Sequence, residues 1–222
     1  MIGMKVVLFG ATGMVGQGVL RECLADPEVE SVLSIGRNRT DRQHPKLREV
    51  IQTDFVDFPA VAPELRGCDA CFFCLGVSSA GMSEERYRRV TYDLTMTAAQ
   101  TLARVSPDMT FIYVSGMGTD SSEHGRTMWA RVKGQTENAL LRLPFKAAYM
   151  FRPGLIVPLD GIRSKTRLYS MFYAAAGPLI PWLYARFPKY VTTTRQIGLA
   201  MLTVAKRGAP AAVLENADIN RV

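Results

Sequence analysis

A chain of 222 residues fits one domain with a sizeable core. With 48% hydrophobic and 21% charged residues it has the balance of a globular protein rather than of a disordered or fibrous one. The net charge of +7 favours anionic partners, but the basic residues are dispersed. No helix-turn-helix, zinc knuckle or aromatic-basic motif accompanies them, so nucleic acid is not an expected partner.

The first residues, Met1–Lys5, run almost directly into an apolar strand and do not resemble a secretory leader, so the sequence reads as a cytoplasmic protein. Its four cysteines need not pair in a reducing compartment. Cys68, Cys71 and Cys74 are spaced like a cluster-binding triplet. Strand alternation, however, sends Cys71 and Cys74 to opposite faces, and Cys23 lies far away. They read as small buried apolar residues, with no metal expected.

Strand and helix signals alternate from the start. Lys5-Val6-Val7-Leu8-Phe9 is an apolar run suited to a parallel strand buried on both faces. Val15, Val19, Cys23 and Leu24 repeat at helical spacing until Asp26-Pro27. Strands are expected at Val32–Ile35, at Val50-Ile51 and at Ala70–Leu75. Ser83 caps a helix with Glu84 and Glu85 in its first turn, and its inward stripe is Tyr87, Val90, Leu94, Ala98 and Leu102. Thr110–Val114 is strand five, a helix follows from about Arg126 to Leu143, and Ala147–Phe151 is strand six. Thr193-x-x-Gln196 resembles a capping box that opens a final helix. Such βαβ alternation requires an α/β, doubly wound, mainly parallel sheet of the Rossmann type in a single domain.

Gly10-Ala11-Thr12-Gly13-Met14-Val15-Gly16 sits between strand one and helix one. Gly10 permits a tight turn, Gly13 lets backbone N–H groups approach a pyrophosphate, and Gly16 lets the helix pack close to the strand. In this context the run reads as a dinucleotide site, with the helix N-terminus facing the phosphates. Strand two ends at Gly36-Arg37-Asn38-Arg39, where the adenosine ribose is read. An acidic residue there would repel a 2′-phosphate. Arg37 and Arg39 instead favour NADP(H) over NAD(H), because a guanidinium pairs a phosphate bidentately.

These marks together resemble the short-chain dehydrogenase/reductase superfamily, in its extended and atypical branch with the epimerase/dehydratase-like and NmrA-like proteins. The resemblance rests on Gly10-x-x-Gly13-x-x-Gly16, Asp54, Leu75-Gly76, Ser115, Val132-Lys133-Gly134 and Arg152-Pro153-Gly154, in the family's order. It implies that Asp54 and Phe55 sit beside adenine, and that Leu75 and Gly76 pass under the adenosine ribose, with the adjoining Val77 also expected among the cofactor-binding residues. It also implies that Lys133 hydrogen-bonds the nicotinamide ribose, and that Pro153 and Gly154 line the nicotinamide.

The family's reaction uses a tyrosine four positions before the lysine, on the same helix face, and a serine after strand five. Here Ser115 and Lys133 are present, but the tyrosine position is Trp129. An indole N–H is a donor only and no acid near neutral pH, although it can polarise a carbonyl or stack on a ring. The proton could come instead from Ser115, from His124 or through water, while Tyr113 is expected to lie too deep.

Leu168–Phe187 is aromatic and apolar, broken by Gly177-Pro178 and Pro181, and flanked by Arg167 and Arg186. The breaks argue against a membrane span. Within a substrate-side region at 155–192 it is a lid, a weak membrane-surface contact, or packing against the sheet edge. Two functions follow. One is an NADP(H)-dependent oxidoreductase or epimerase-like enzyme acting on a small carbonyl or hydroxyl substrate, with Ser115, Lys133 and Trp129 at its centre. The other is a non-catalytic regulator that senses NADP(H).

Overall fold

Short β-branched and aromatic runs build the centre of the protein. The computed structural model describes residues 3–52, 58–162 and 186–222. In chain order, β1 (Met4–Phe9), α1 (Met14–Ala25), β2 (Val29–Gly36) and β3 (Leu47–Ile51) come first. A 3₁₀ segment at Phe58–Leu65 then leads to β4 (Ala70–Phe73) and α2 (Glu84–Arg88). A π turn at Arg89–Asp93 joins α2 to α3 (Leu94–Val105), followed by β5 (Thr110–Val114), α4 (Met128–Leu141) and β6 (Ala147–Arg152). The chain continues through β7 (Leu155–Val157), β8 (Val191–Thr193), α5 (Thr194–Arg207), β9 (Val213–Glu215) and α6 (Asn216–Ile219).

The main sheet has the order β3-β2-β1-β4-β5-β6-β9, and all of its pairs are parallel. β7 and β8 form a second, two-stranded parallel sheet. Alternation along each strand feeds two cores. Val6, Leu8, Phe72 and Ile112 pack with α1 and α5 through Val19, Cys23, Ile197 and Met201. Val7, Phe9, Phe73 and Phe111 pack on the other face with α3 and α4 through Ala98, Leu102 and Leu140. Helices thus cover both faces, as a buried parallel sheet requires. The strand order reverses between β1 and β4, so a crevice opens at the C-terminal ends of the strands there.

The expected elements are present, with two corrections. The helix after Ser83 is not one regular run. The π turn inserts a wide loop of backbone, so Val90 points outward while Thr91 and Thr95 turn inward. In addition, two three-residue pairings, β7 with β8 and β6 with β9, lie beyond the last expected strand. The two N-caps do form: Ser83 accepts from the Arg86 N–H at 3.3 Å and Thr193 from the Gln196 N–H at 3.0 Å. Gln196 leaves the box half made, because its amide donates to the Ile219 carbonyl at 3.0 Å. Cys71 and Cys74 pack into opposite cores. Burial pushes the Cys68 thiol up to about 11.

Among the described residues no helix is long and apolar enough to cross a membrane. Asp54, Phe55 and most of Leu168–Phe187 lie outside the described residues.

Candidate functional site

The turn between β1 and α1 is shaped by close backbone approaches. Gly10 has φ +80°, and a Cβ there would lie 2.8 Å from the Cys74 backbone. The Gly13 N–H donates to the Gly10 carbonyl at 2.9 Å, and Gly13 then caps α1 with extended backbone and no side-chain cap. No acidic residue stands in the first turn of α1. The helix therefore presents uncapped N–H donors and its partial positive charge to whatever lies in front of it. Gly16 packs under this turn, where a Cβ would sit 2.0 Å from the Gly10 oxygen.

In front of the turn is a cavity of about 800 Å³. It runs from Gly13, Met14 and Val15 past Leu75 and Gly76 to Ser115, Trp129, Lys133, Pro153 and Gly154, with Met117, Leu155, Ile156 and Tyr190 completing the wall. Most of the expected contact residues thus share one space. Gly10, Thr12 and Gly16 frame the turn behind it. Val77 stands 42% exposed beyond the strip and Arg37 is exposed past the end of β2, and neither belongs to the cavity wall. Arg39 and Arg42 border a separate hollow of about 560 Å³ together with Glu49.

Lys133 is carried by α4, and its ammonium donates to the Ser115 carbonyl at 2.5 Å, 5.8 Å from the centre of the Tyr113 ring. Desolvation lowers its pKa from 10.5 to about 8, against the opposing pull of Glu137. With the folded value below the unfolded one, the unfolded chain holds more protons between about pH 8 and 10.5, and Lys133 makes the fold more stable as pH rises through that window. In the reductively methylated protein, the carbon resonance that disappears in Lys133→Met is expected to titrate near pH 8. A midpoint at the ordinary lysine value would contradict this environment.

Ser115 is 8% exposed, and its hydroxyl donates to the Glu137 carboxylate and, at 3.2 Å, to the Phe151 carbonyl. Ser115 lines the cavity, and its hydroxyl is engaged there by a buried carboxylate. Glu137 is 1% exposed, one helical turn beyond Lys133, and is paired with Arg152 at 2.5 Å. The guanidinium also reaches Ser121 at 2.5 Å and Glu215 at 3.1 Å. This network ties α4 and β6 to the loop after β5 and to β9. Sequence reasoning missed it, although a glutamate on the inward face of α4 and an arginine ending an apolar strand were the available signals.

Trp129 lies at the cavity with its six-membered ring beside Gly118, 3.5 Å from where a Cβ would stand. His124 is exposed in the loop before α4 and does not line the cavity. Tyr113 is buried, and burial holds its phenol well above the usual range.

With this geometry in place, comparison with known proteins is direct. Residues 10–142 match a family described as NAD(P)H-binding. The chain belongs to that NAD(P)H-binding family. Similar proteins include the mitochondrial protein FMP52 of Debaryomyces hansenii, 24% identical over 91% of this chain and 88% of that one. The mitochondrial protein fmp52-2 of Aspergillus oryzae is 26% identical over 97% and 95% of the two chains. HTATIP2 of Rattus norvegicus is 29% identical over 69% of this chain, a region that spans 63% of its own length.

Among solved structures, a short-chain dehydrogenase from Burkholderia cenocepacia in complex with NADP superposes with a TM-score of 0.68 at 13% identity, covering 96% and 88% of the chains. The Bordetella bronchiseptica enzyme WbmF in complex with NAD+ also gives 0.68 at 13% identity, covering 99% and 77%. The fold of this NAD(P)H-binding family member is thus that of the short-chain dehydrogenase/epimerase superfamily.

The cytoplasmic expectation is corrected, since the FMP52 relatives are named mitochondrial proteins. The apolar run that suggested it is β1, a buried core strand whose composition is set by the sheet and carries no address.

Proposed function

We propose that the chain is an NADP(H)-dependent oxidoreductase acting on a small carbonyl or hydroxyl substrate in the cavity in front of α1. The observation that carries this reading is the joint placement of the uncapped α1 N-terminus at one end and Lys133, Trp129 and Gly154 at the other. The glycine turn fits a pyrophosphate, because Gly13 offers donors with no Cβ in the way. A bound nicotinamide would supply the hydride. Lys133 would hold the adjoining ribose, Pro153 and Gly154 would line the ring with backbone, and Trp129 would stack on or polarise the substrate. Asp54 and Phe55 would take the adenine.

Arg37 supports the choice of NADP(H) over NAD(H), as an exposed cation at the end of β2 in a loop that also carries Arg39 and Arg42. Arg37→Ala is expected to weaken NADPH binding by about ten- to a hundredfold, the worth of one charge-assisted contact, and to leave NADH nearly unchanged. Calorimetry with both nucleotides tests this, and equal losses would remove the argument for the 2′-phosphate.

One observation favours a second reading, a non-catalytic NADP(H) sensor: the Ser115 hydroxyl is spent on Glu137. NADPH oxidation across carbonyls and quinones separates the two. Turnover abolished by Lys133→Ala supports the enzyme, whereas tight binding without turnover supports the sensor.

A further inference from the structure

The site as built lacks an acid at position 129, and the structure narrows where a proton could come from. Among the described residues, the Ser115 hydroxyl is engaged by Glu137, His124 is exposed away from the cavity, and Tyr113 is buried in the core. Cys74 also lines the cavity, but its thiol packs into the core, where burial holds it far above its ordinary range. Among the described residues that line the cavity, Tyr190 is the one tyrosine.

Tyr190 is 58% exposed, so its ring is not held as a core residue would be. Its backbone, in contrast, is fixed on both sides. The Tyr190 carbonyl accepts from the Leu155 N–H at 2.8 Å, and a Cβ on Gly154 would come within 2.3 Å of that oxygen. Asn216 is fully buried, and its amide is shared among the same strands. Its Oδ1 accepts from the Gly154 N–H at 2.8 Å, while its Nδ2 donates to the Pro188 and Val191 carbonyls at 2.9 and 3.0 Å. Asn220 donates to the same two carbonyls, both at 2.8 Å. Five side-chain hydrogen bonds thus lock the chain around Tyr190 against Gly154, the residue expected beneath the nicotinamide. The root of the side chain is thus fixed beside Gly154, while the ring keeps the freedom to turn toward a bound substrate.

We propose that Tyr190 is the general acid of this site, replacing from the turn before β8 the phenol that α4 lacks at Trp129. The proposal rests on the oxidoreductase reading above. In the reducing direction the carbonyl carbon gains a hydride from the dihydronicotinamide, which is oxidised. The carbonyl π pair moves onto oxygen, and that oxygen takes the Tyr190 proton to give the alcohol. The phenolate regains a proton from water through its exposed side. Trp129 faces the substrate as a stacking surface and takes no part in the proton transfer.

The test uses Tyr190→Phe, which keeps the ring and every backbone contact. NADPH binding by calorimetry is expected to match that of the wild-type protein. Reduction of 4-nitrobenzaldehyde, whose alkoxide product must be protonated, is expected to fall by about a hundredfold or more, the usual weight of a general acid. Reduction of menadione, whose hydroquinone anion is a far weaker base, is expected to fall at least tenfold less. A second readout needs no turnover. Addition of NADP+ is expected to move one phenol titration, followed by phenolate absorbance, to lower pH in the wild-type protein and not in the variant, because a cationic ring favours a nearby phenolate.

Unchanged aldehyde reduction, parallel losses on both substrates, or identical phenol titrations would each overturn the assignment. So would a wild-type protein that binds NADPH yet reduces no aldehyde. A wild-type protein that binds no NADPH would bring down the oxidoreductase reading itself, and the assignment with it.

Discussion

Replacing Glu137 by alanine is expected to destabilise the protein by about 3–5 kcal/mol, the cost of leaving a buried charge without its partner. Arg152 would remain 8% exposed, with only Ser121 and the half-exposed Glu215 for company. For a chain of this size the loss corresponds to a melting temperature lower by roughly 6–20 °C. Glu137→Gln should cost less, since an amide oxygen can still accept from Ser115 and Arg152. The paired change Glu137→Leu with Arg152→Met should recover much of the loss, because removing both charges leaves nothing to desolvate. Thermal unfolding of the three variants checks this. A Glu137→Ala protein that melts with the wild type would show that the ion pair is not the strut between α4 and β6 described above.

The second large effect belongs to Gly16. A Cβ there would sit 2.0 Å from the Gly10 oxygen and 2.6 Å from its carbonyl carbon, both backbone atoms with no rotamer to escape into. In Gly16→Ala the helix must therefore lift off the turn, and its first N–H groups move with it. Overpacking of this kind costs about 1–3 kcal/mol, and NADP(H) affinity is expected to fall about ten- to a hundredfold. Gly76→Ala is the informative contrast. A Cβ at Gly76 meets nothing within 4 Å and its φ is not positive, so the fold should be untouched. Any loss of NADP(H) affinity in Gly76→Ala then reports contact with the cofactor alone. Calorimetry on both variants, with melting curves as the check on folding, separates the two. Wild-type affinity in Gly16→Ala would mean that the turn does not grip the diphosphate.

Much of the architecture was legible because a doubly wound sheet repeats its signals locally. The strand expected at Thr110–Val114 has those bounds in the structure, and the helix expected at about Arg126–Leu143 runs from Met128 to Leu141. The glycine turn was equally legible, since Gly13 and Gly16 answer a steric demand set by Gly10 a few residues away, although the approach of Gly10 to Cys74 was not.

Other features were hidden because their causes are distant in sequence. β9 is three residues long and exists by pairing with β6, 63 positions away at the Arg152–Glu215 contact. The fate of the Ser115 hydroxyl depends on Glu137, and that of Glu137 on Arg152, so the local signals, a charge on an inward face and another ending a strand, do not say which groups they join. The π turn defeated the stripe through Val90, because periodicity presumes a constant number of residues per turn. Tyr190 was passed over for a similar reason: it reaches the cavity by the return of a connection, not by helical spacing from Lys133.

The Asn216 clamp also sets an order of events during synthesis. Gly154 and Asn216 are 62 residues apart, so the far wall of the cavity stays unassembled after the glycine turn and the first six strands have left the ribosome. At usual elongation rates that interval is about 3–12 s. Throughout it the nascent chain carries the glycine turn and Lys133 but lacks the clamp that fixes Gly154 beside Tyr190.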